Sequence, residues 1–301
     1  MSQANQSRSR IDGAPAFLVP APRRQDQLAL FSLGEPADRV PERLGAAVIG
    51  IREKAKVLHD VSAYWDRFDY SLNPFVGCGF GCSYCYAAFF VPDEEKQRDW
   101  GRWVDVKVNG IREIVKRRDL QGKRILMSTA TDPYQPLERK VELTRGIVEA
   151  LSAPDRQPIL RVQTRSPIVT RDIDLFRRFK DIRVNMSVTT DSEAVRKRFE
   201  PGCASIDQRL EAIAQVKAAG VPISVFLAPL LPIEDPDRFG QRIAEIGPDH
   251  VYATPFNITD GYFKGSTRQM ALDLARDYGW TRERVDESIA ALRRRLPAIV
   301  A

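Results

Sequence analysis

The stretch YSLNPFVGCGFGCSYCYA, Tyr70 to Ala87, joins a β-rich run to a turn that holds three of the chain's four cysteines. The spacing is Cys78-x3-Cys82-x2-Cys85, with Gly77, Gly79 and Gly81 threaded through it. Soft thiolates in such a turn suit zinc or iron–sulfur. A structural zinc site wants four protein ligands, usually from paired CxxC-type units. Here the turn supplies three, and a fourth would have to return from Cys203, His59 or His250. A 4Fe–4S cluster held by three cysteines leaves one iron without a protein ligand, as catalytic metals keep a position open. The glycines let the backbone wrap closely and aim N–H groups at sulfur. With two histidines in the chain, a histidine-rich metal site is excluded and His–Asp nucleophile chemistry is disfavoured.

Working outward, a unit of short β-rich run and amphipathic helical stretch repeats six times. Strands are predicted at Tyr70–Val76, Arg124–Ser128, Ile159–Gln163, Arg183–Val188, Ile223–Ala228 and His250–Thr254. Helices are predicted between them in VNGIREIVKRRD, LTRGIVEALSA, RDIDLFRRFKD, DQRLEAIAQVKAAG and DRFGQRIAEIG, and two more at the C-terminus. Ser205 and Gln208 have a capping-box spacing, and Gly220 and Gly247 fit helix stops. Such alternation implies α/β architecture with parallel strands and right-handed crossovers. A doubly wound sheet and a (β/α)6 barrel-like sheet both satisfy it. In either, functional groups collect in loops after the C-terminal ends of strands, and the cysteine turn follows the first strand.

The 301 residues are 43% hydrophobic, enough for a sizeable core, and carry a formal charge of +6. That charge permits a polyanionic partner without demanding one. No apolar run is long enough to span a bilayer, and MSQANQSRSRIDGAP lacks the apolar region of a secretory signal. The chain is therefore read as cytoplasmic, where thiols stay reduced. Residues 1–40 read as a flexible arm, 41–68 as an extension packed on the core, 69–260 as the core and 261–301 as a helical segment.

The motif CxxxCxxC, with Tyr84 before its last cysteine, resembles the signature of the radical S-adenosylmethionine (SAM) enzymes. TATDPYQPLE, VQTRSP, NMSV, FEPGCASIDQRL and VFLAPL extend the resemblance to the spore photoproduct lyase-like branch, over roughly Asp69 to Pro255. The resemblance implies a partial (β/α)6 TIM-like barrel. It implies a 4Fe–4S cluster on Cys78, Cys82 and Cys85 whose open iron binds SAM. It also implies reductive cleavage to a 5′-deoxyadenosyl radical that abstracts hydrogen, with electrons from a donor such as flavodoxin or ferredoxin.

The resemblance also assigns residues. Tyr84 would pack near the adenine, and Tyr86 stands where the branch has a tyrosine implicated in radical transfer; both also read as aromatic packing around the cluster. Thr131 and Asp132 would fix the methionine end of SAM, though Thr131–Asp132–Pro133 also reads as a turn whose aspartate serves backbone N–H groups. Arg165 replaces a lysine that contacts the cofactor carboxylate, and guanidinium can take a carboxylate bidentately. Ser187 would touch the same end, and Ala228 would leave room for the adenine. Thr129 is a departure: the branch has there a cysteine that returns hydrogen to the product radical, and an alcohol O–H is too strong to do so. Cys203, expected on the substrate side, reads either as a replacement donor or as a small, partly buried loop residue. The substrate is expected to be nucleic acid, with DNA repair as the corresponding role. The alternatives are RNA, a peptide or a small molecule, and a zinc-stabilised nucleic-acid-binding protein without catalysis.

Overall fold

The computed structural model describes residues 36–61, 67–257 and 267–300. Of the expected N-terminal arm, residues 1–35 lie outside the described residues. Eleven strands follow along the described chain: β1 (Arg43–Leu44), β2 (Ala47–Ile51), β3 (Leu58–Asp60), β4 (Tyr70–Leu72), β5 (Phe75–Gly77), β6 (Trp103–Val106), β7 (Arg124–Met127), β8 (Ile159–Thr164), β9 (Ile182–Ser187), β10 (Ile223–Leu227) and β11 (His250–Ala253).

The seven-stranded sheet runs β11-β10-β9-β8-β7-β4-β3. Six of these strands are parallel, and β3 pairs antiparallel with β4 at one edge. Spatial order follows chain order through all six βα repeats. A doubly wound sheet reverses its order once, and this one does not. With right-handed crossovers, an unreversed order sends the helices to one face and leaves the other to curl inward. The result is a partial (β/α)6 barrel, whose edges β3 and β11 do not pair among the described residues.

The predicted strands appear within two residues of their expected ends, except the first. Pro74 has no N–H to give a ladder, and it divides Tyr70–Val76 into β4, in the large sheet, and β5, in a small sheet of order β1-β2-β6-β5. The helices Gly110–Lys116, Leu143–Leu151, Ile206–Ala218 and Pro236–Ile246 match expectation. Leu143, Ile147, Val148 and Leu151 of the second are fully buried, each side chain contributing about 1.5–3 kcal/mol by leaving water. Ser205 caps its helix with the full capping box. The helix expected over 171–181 is instead a 3-10 turn, Pro167–Asp172, and one α-turn, Ile173–Phe176; buried Asp172 fixes the turn by accepting from Tyr134, Arg145 and Arg171. The helix Glu193–Phe199 was not foreseen. The two C-terminal helices span Gln269–Asp277 and Arg282–Arg295. Among the described residues, no helix is long and apolar enough to cross a membrane.

Candidate active site

The cysteine turn leaves β5 under tight constraint. Gly77 has φ +79°, and a Cβ there would stand 2.7 Å from the carbonyl oxygen of Trp103 on β6, so the close approach of β5 to β6 needs glycine. From there the chain coils: Gly81 N donates to Cys78 O at 3.2 Å and Cys85 N to Cys82 O at 3.2 Å. Two segments grip this coil. From the loop after β7, Gln135 Oε1 accepts from Gly79 N at 2.7 Å and Thr131 Oγ1 donates to Gly77 O at 2.6 Å. From the segment after Glu193–Phe199, Gly202 N donates to Phe80 O at 3.1 Å, and Ser83 N donates to Phe199 O at 2.8 Å. A Cβ on Gly202 would stand 2.7 Å from Gly79 O, so this contact also requires glycine.

The turn opens on a cavity of ≈ 560 Å³ at the C-terminal ends of the parallel strands, and Cys78, Cys82 and Cys85 line it together. So do Tyr84, Tyr86, Thr129, Thr131, Asp132, Arg165, Ser187 and Ala228. Loops after four strands and the last residue of β9 thus bring every residue assigned from sequence to one place, apart from Cys203.

Several of these side chains already have partners. Asp132 Oδ1 accepts from Tyr134 N at 2.9 Å and Thr164 Oγ1 at 2.7 Å, and Oδ2 accepts from Arg165 N at 2.8 Å. Thr131 gives its proton to Gly77 O and accepts from Gln135 Nε2. Both therefore hold loops in place, as the turn reading anticipates. Ser187 Oγ accepts from Gln163 Nε2 at 2.9 Å. Tyr86 Oη donates to Thr129 O at 2.7 Å, and burial pushes its phenol up to about 12. Thr129 Oγ1 lies 2.6 Å from Ser71 Oγ and accepts from Asn73 Nδ2 at 3.0 Å. Ser128, just before it, is held at φ +87°, a left-handed conformation costly for serine.

Arg165 has an unusual position. Its guanidinium sits over the Tyr84 ring, 5.9 Å from the centroid, and Nε lies 3.7 Å from Glu200 Oε1. That Nε is buried against the Glu200 carboxylate without a hydrogen bond of its own, while the Arg165 side chain as a whole lines the cavity.

Glu200 is the residue that sequence reasoning missed. It is fully buried, accepts from Arg209 Nη2 at 2.6 Å and Thr189 Oγ1 at 2.9 Å, and takes the Tyr84 hydroxyl proton's hydrogen bond. Burial alone would raise its carboxyl, but Arg209, Arg165 and the Tyr84 hydroxyl together hold it down at about 2. The hub ties Tyr84, between two of the cysteines, to the helix Ile206–Ala218. A signal was present: Arg209 falls on the apolar stripe Ile206, Ile213, Val216 at helical spacing, where an unpaired charge has no place. Gln135, Asn73 and cavity-lining Asn185 were also missed. Asn73 Oδ1 accepts from Thr129 N and Ala130 N at 3.0 and 2.9 Å, joining segments 56 residues apart.

Cys203 is not where it was expected. Its thiol is buried and lies 3.9 Å from Cys82 Sγ, and it is not among the residues lining the cavity. The four thiols differ. Burial raises Cys78, with Asp132 adding to it, and raises Cys85 to about 11. The hydrogen bond with Cys203 lowers Cys82. Binding a metal or cluster would have to release protons from the raised thiols.

The residues fit an iron–sulfur cluster with a polar cofactor beside it. Three thiols and the Arg165 side chain line one cavity. Among the described residues, no three His, Cys, Asp or Glu side chains converge closely enough to hold a single metal ion.

A family model described as the radical SAM superfamily matches residues 72–246, more than half of the chain. An uncharacterised protein of Methanocaldococcus jannaschii is 33% identical over 163 residues, covering 54% of this chain and 61% of that protein. The chain thus spans about three fifths of that relative's length. An uncharacterised protein of Acidianus two-tailed virus is 28% identical over 240 residues, covering 73% of this chain and 75% of that one. Among solved structures, spore photoproduct lyase complexed with dinucleoside spore photoproduct superposes with a TM-score of 0.52 at 22% identity, over 68% of this chain and 60% of that one. A double mutant of the lyase with bound AdoMet and the same dinucleoside gives 0.56 at 20% identity, over 84% and 81%. At such identities the likeness is one of fold. The superfamily implies an iron–sulfur cluster and SAM, the two groups that the thiols and the buried guanidinium suit. With its cysteine turn at the mouth of an unreversed βα sheet, the chain belongs to the radical SAM superfamily and has the fold of spore photoproduct lyase.

Proposed function

We propose that Cys78, Cys82 and Cys85 hold a 4Fe–4S cluster, that SAM binds beside it in the same cavity, and that the chain is an enzyme that abstracts hydrogen from a substrate other than spore photoproduct. The observation that carries this reading is the one cavity that the three thiols and the Arg165 side chain line together. When bound, the reduced cluster and SAM supply a 5′-deoxyadenosyl radical; a one-electron donor of flavodoxin or ferredoxin type would have to serve it. The chain's own residues position these groups. Arg165 offers its guanidinium to the cofactor carboxylate. Asp132 fixes the Arg165 backbone, Ser187 lies on the cavity wall, and Ala228 leaves space where a larger side chain would intrude.

Arg165→Ala is expected to bind cluster iron normally and SAM weakly. Removing one partner of a buried, charge-assisted pair costs on the order of 2–5 kcal/mol, a loss of roughly 30-fold to several thousand-fold in affinity. Calorimetry with the reconstituted protein measures it, and an unchanged SAM affinity would remove Arg165 from the site.

The substrate class we favour is nucleic acid, on the dinucleoside complexes of the fold neighbours. The basic clusters of the sequence add little to this. Arg196 pairs with Glu193, Arg198 with Asp277, and both Arg294 and Arg295 with Asp237, so much of the positive charge is spent within the chain. The reaction nonetheless differs from the lyase's, because Thr129 lines the cavity where that branch has a thiol. Given dinucleoside spore photoproduct, the reduced protein is expected to form 5′-deoxyadenosine without releasing repaired dinucleoside. Fast, clean repair would overturn this. Incubation with deuterated nucleic acids and cell extract, with the label followed into 5′-deoxyadenosine, identifies the substrate.

A further inference from the structure

We propose that Cys82 and Cys203 are a redox modification site, forming a reversible disulfide in the cluster-free protein. Of the four cysteines, these two have sulfurs within hydrogen-bond distance of each other, 3.9 Å apart. Their backbones are already in register. Gly202 N bonds to Phe80 O, Ser83 N to Phe199 O, and Arg196 Nη1 holds Cys203 O at 2.8 Å. Reaching the S–S bond length of about 2.05 Å needs the sulfurs to close by about 1.9 Å, a movement within the range of side-chain rotation. Both thiols are buried, and Cys82 lines the cavity whereas Cys203 does not, so a peroxide in the cavity meets Cys82 with Cys203 behind it as the resolving thiol.

The oxidant is a peroxide small enough to enter the cavity. The Cys82 sulfur attacks one peroxide oxygen; an S–O bond forms, the O–O bond breaks, and water leaves with the thiol proton. The Cys203 sulfur then attacks the sulfenic sulfur; the S–S bond forms, the S–O bond breaks, and the departing hydroxide takes the Cys203 proton as a second water. Two thiols lose two electrons, and one hydrogen peroxide becomes two waters. The disulfide stops Cys82 from climbing to the irreversible sulfinic acid. It also withholds Cys82 from iron, a consequence that rests on Cys82 being a cluster ligand. A dithiol reductant reverses it.

The test uses the full-length chain stripped of iron anaerobically. After treatment with one equivalent of hydrogen peroxide, alkylation and digestion without reductant, mass spectrometry is expected to find the Cys82 and Cys203 peptides joined. Free thiols should fall from four to two and return with dithiothreitol. Iron uptake on reconstitution should be lost while the disulfide stands and recovered after reduction. With two or more equivalents of peroxide, Cys203→Ala, and Cys203→Ser as a second variant checked by circular dichroism, should carry Cys82 as sulfinic acid, one equivalent for each two-electron step, and reductant should restore little iron uptake. A dominant cross-link within the Cys78, Cys82 and Cys85 trio would overturn the proposal. So would recovery of iron uptake by both variants as complete as in the native chain. The cross-link map needs no cluster: a mapped Cys82–Cys203 bond in a protein that never takes up iron upholds the disulfide and sinks the cluster reading.

Discussion

Replacement of Cys78, Cys82 or Cys85 by alanine is expected to give a colourless protein with background iron, while Cys203→Ala reconstitutes brown like the native chain. Each of the three opens on the cavity, and each would supply the sole protein ligand of one iron, so no redundancy protects the cluster. Histidine offers no substitute. His59 is exposed and bonded to Lys56 O, and His250 is exposed at the start of β11, away from the strand ends that bear the site. Cys203 is the one nearby thiol, but its backbone is fixed from behind the turn, by Arg196 at its carbonyl and by the Cys203 N to Glu200 O bond at 3.1 Å. Iron and acid-labile sulfide per chain, with absorbance near about 400 nm, decide the matter. Iron lost from Cys203→Ala would point instead to a four-cysteine metal site, and iron retained by any of the other three would remove that residue as a ligand.

Why the trio was legible and Cys203 was not follows from the range of the constraints. The three cysteines lie in one turn, so their spacing alone states what they can hold. Cys203 was placed by counting loops after strands, which puts it on the open side. The unforeseen helix Glu193–Phe199 turns the chain back, and Gly202 then docks on the cysteine turn. The six strands were readable from alternation because each fills its register in the large sheet. The small sheet was not, because its strands hold two to five residues and Pro74 hides the change from one sheet to the other. Sequence alternation also could not choose between a doubly wound sheet and a barrel-like one. Strand order is a tertiary property, and here it was the motif resemblance that pointed to the barrel. The polar framework was the least visible part. Asn73 reaches Thr129, and Glu200 reaches Tyr84, across 56 and 116 residues. A lone charged residue in a sequence reads as surface, which is why Arg209 on an apolar stripe should have been read as half of a buried pair.

That pair makes the second large effect. Glu200→Gln should destabilise the cluster-free protein by about 3–5 kcal/mol at pH 7, because it leaves Arg209 charged, fully buried and without its counter-ion. For a domain of this size that is a fall in melting temperature of about 5–10 °C. The pH dependence has a definite sign. The Glu200 carboxyl titrates at about 2 in the folded chain, below its value of about 4.3 when unfolded. The group therefore binds fewer protons folded than unfolded, and it contributes stability that is complete above pH 4.3 and lost as pH falls towards 2. The shift corresponds to about 3 kcal/mol. Urea melts of the native chain and Glu200→Gln at pH 7, 5 and 3 would show a large and constant gap between pH 7 and 5, narrowing at pH 3. Other buried carboxyls weaken both proteins in acid, so the gap between them, rather than either stability, carries the result. A gap below about 1 kcal/mol at pH 7, the range of an exposed ion pair, would show that the hub is not a buried charge pair. A gap that persists undiminished at pH 3 would show that Arg209, rather than the ionised Glu200, is what the variant loses. The Tyr84 hydroxyl donates to the same carboxylate. The variant should therefore also loosen the turn between Cys82 and Cys85, and reconstituted Glu200→Gln is expected to lose its iron faster than the native protein when challenged with a chelator.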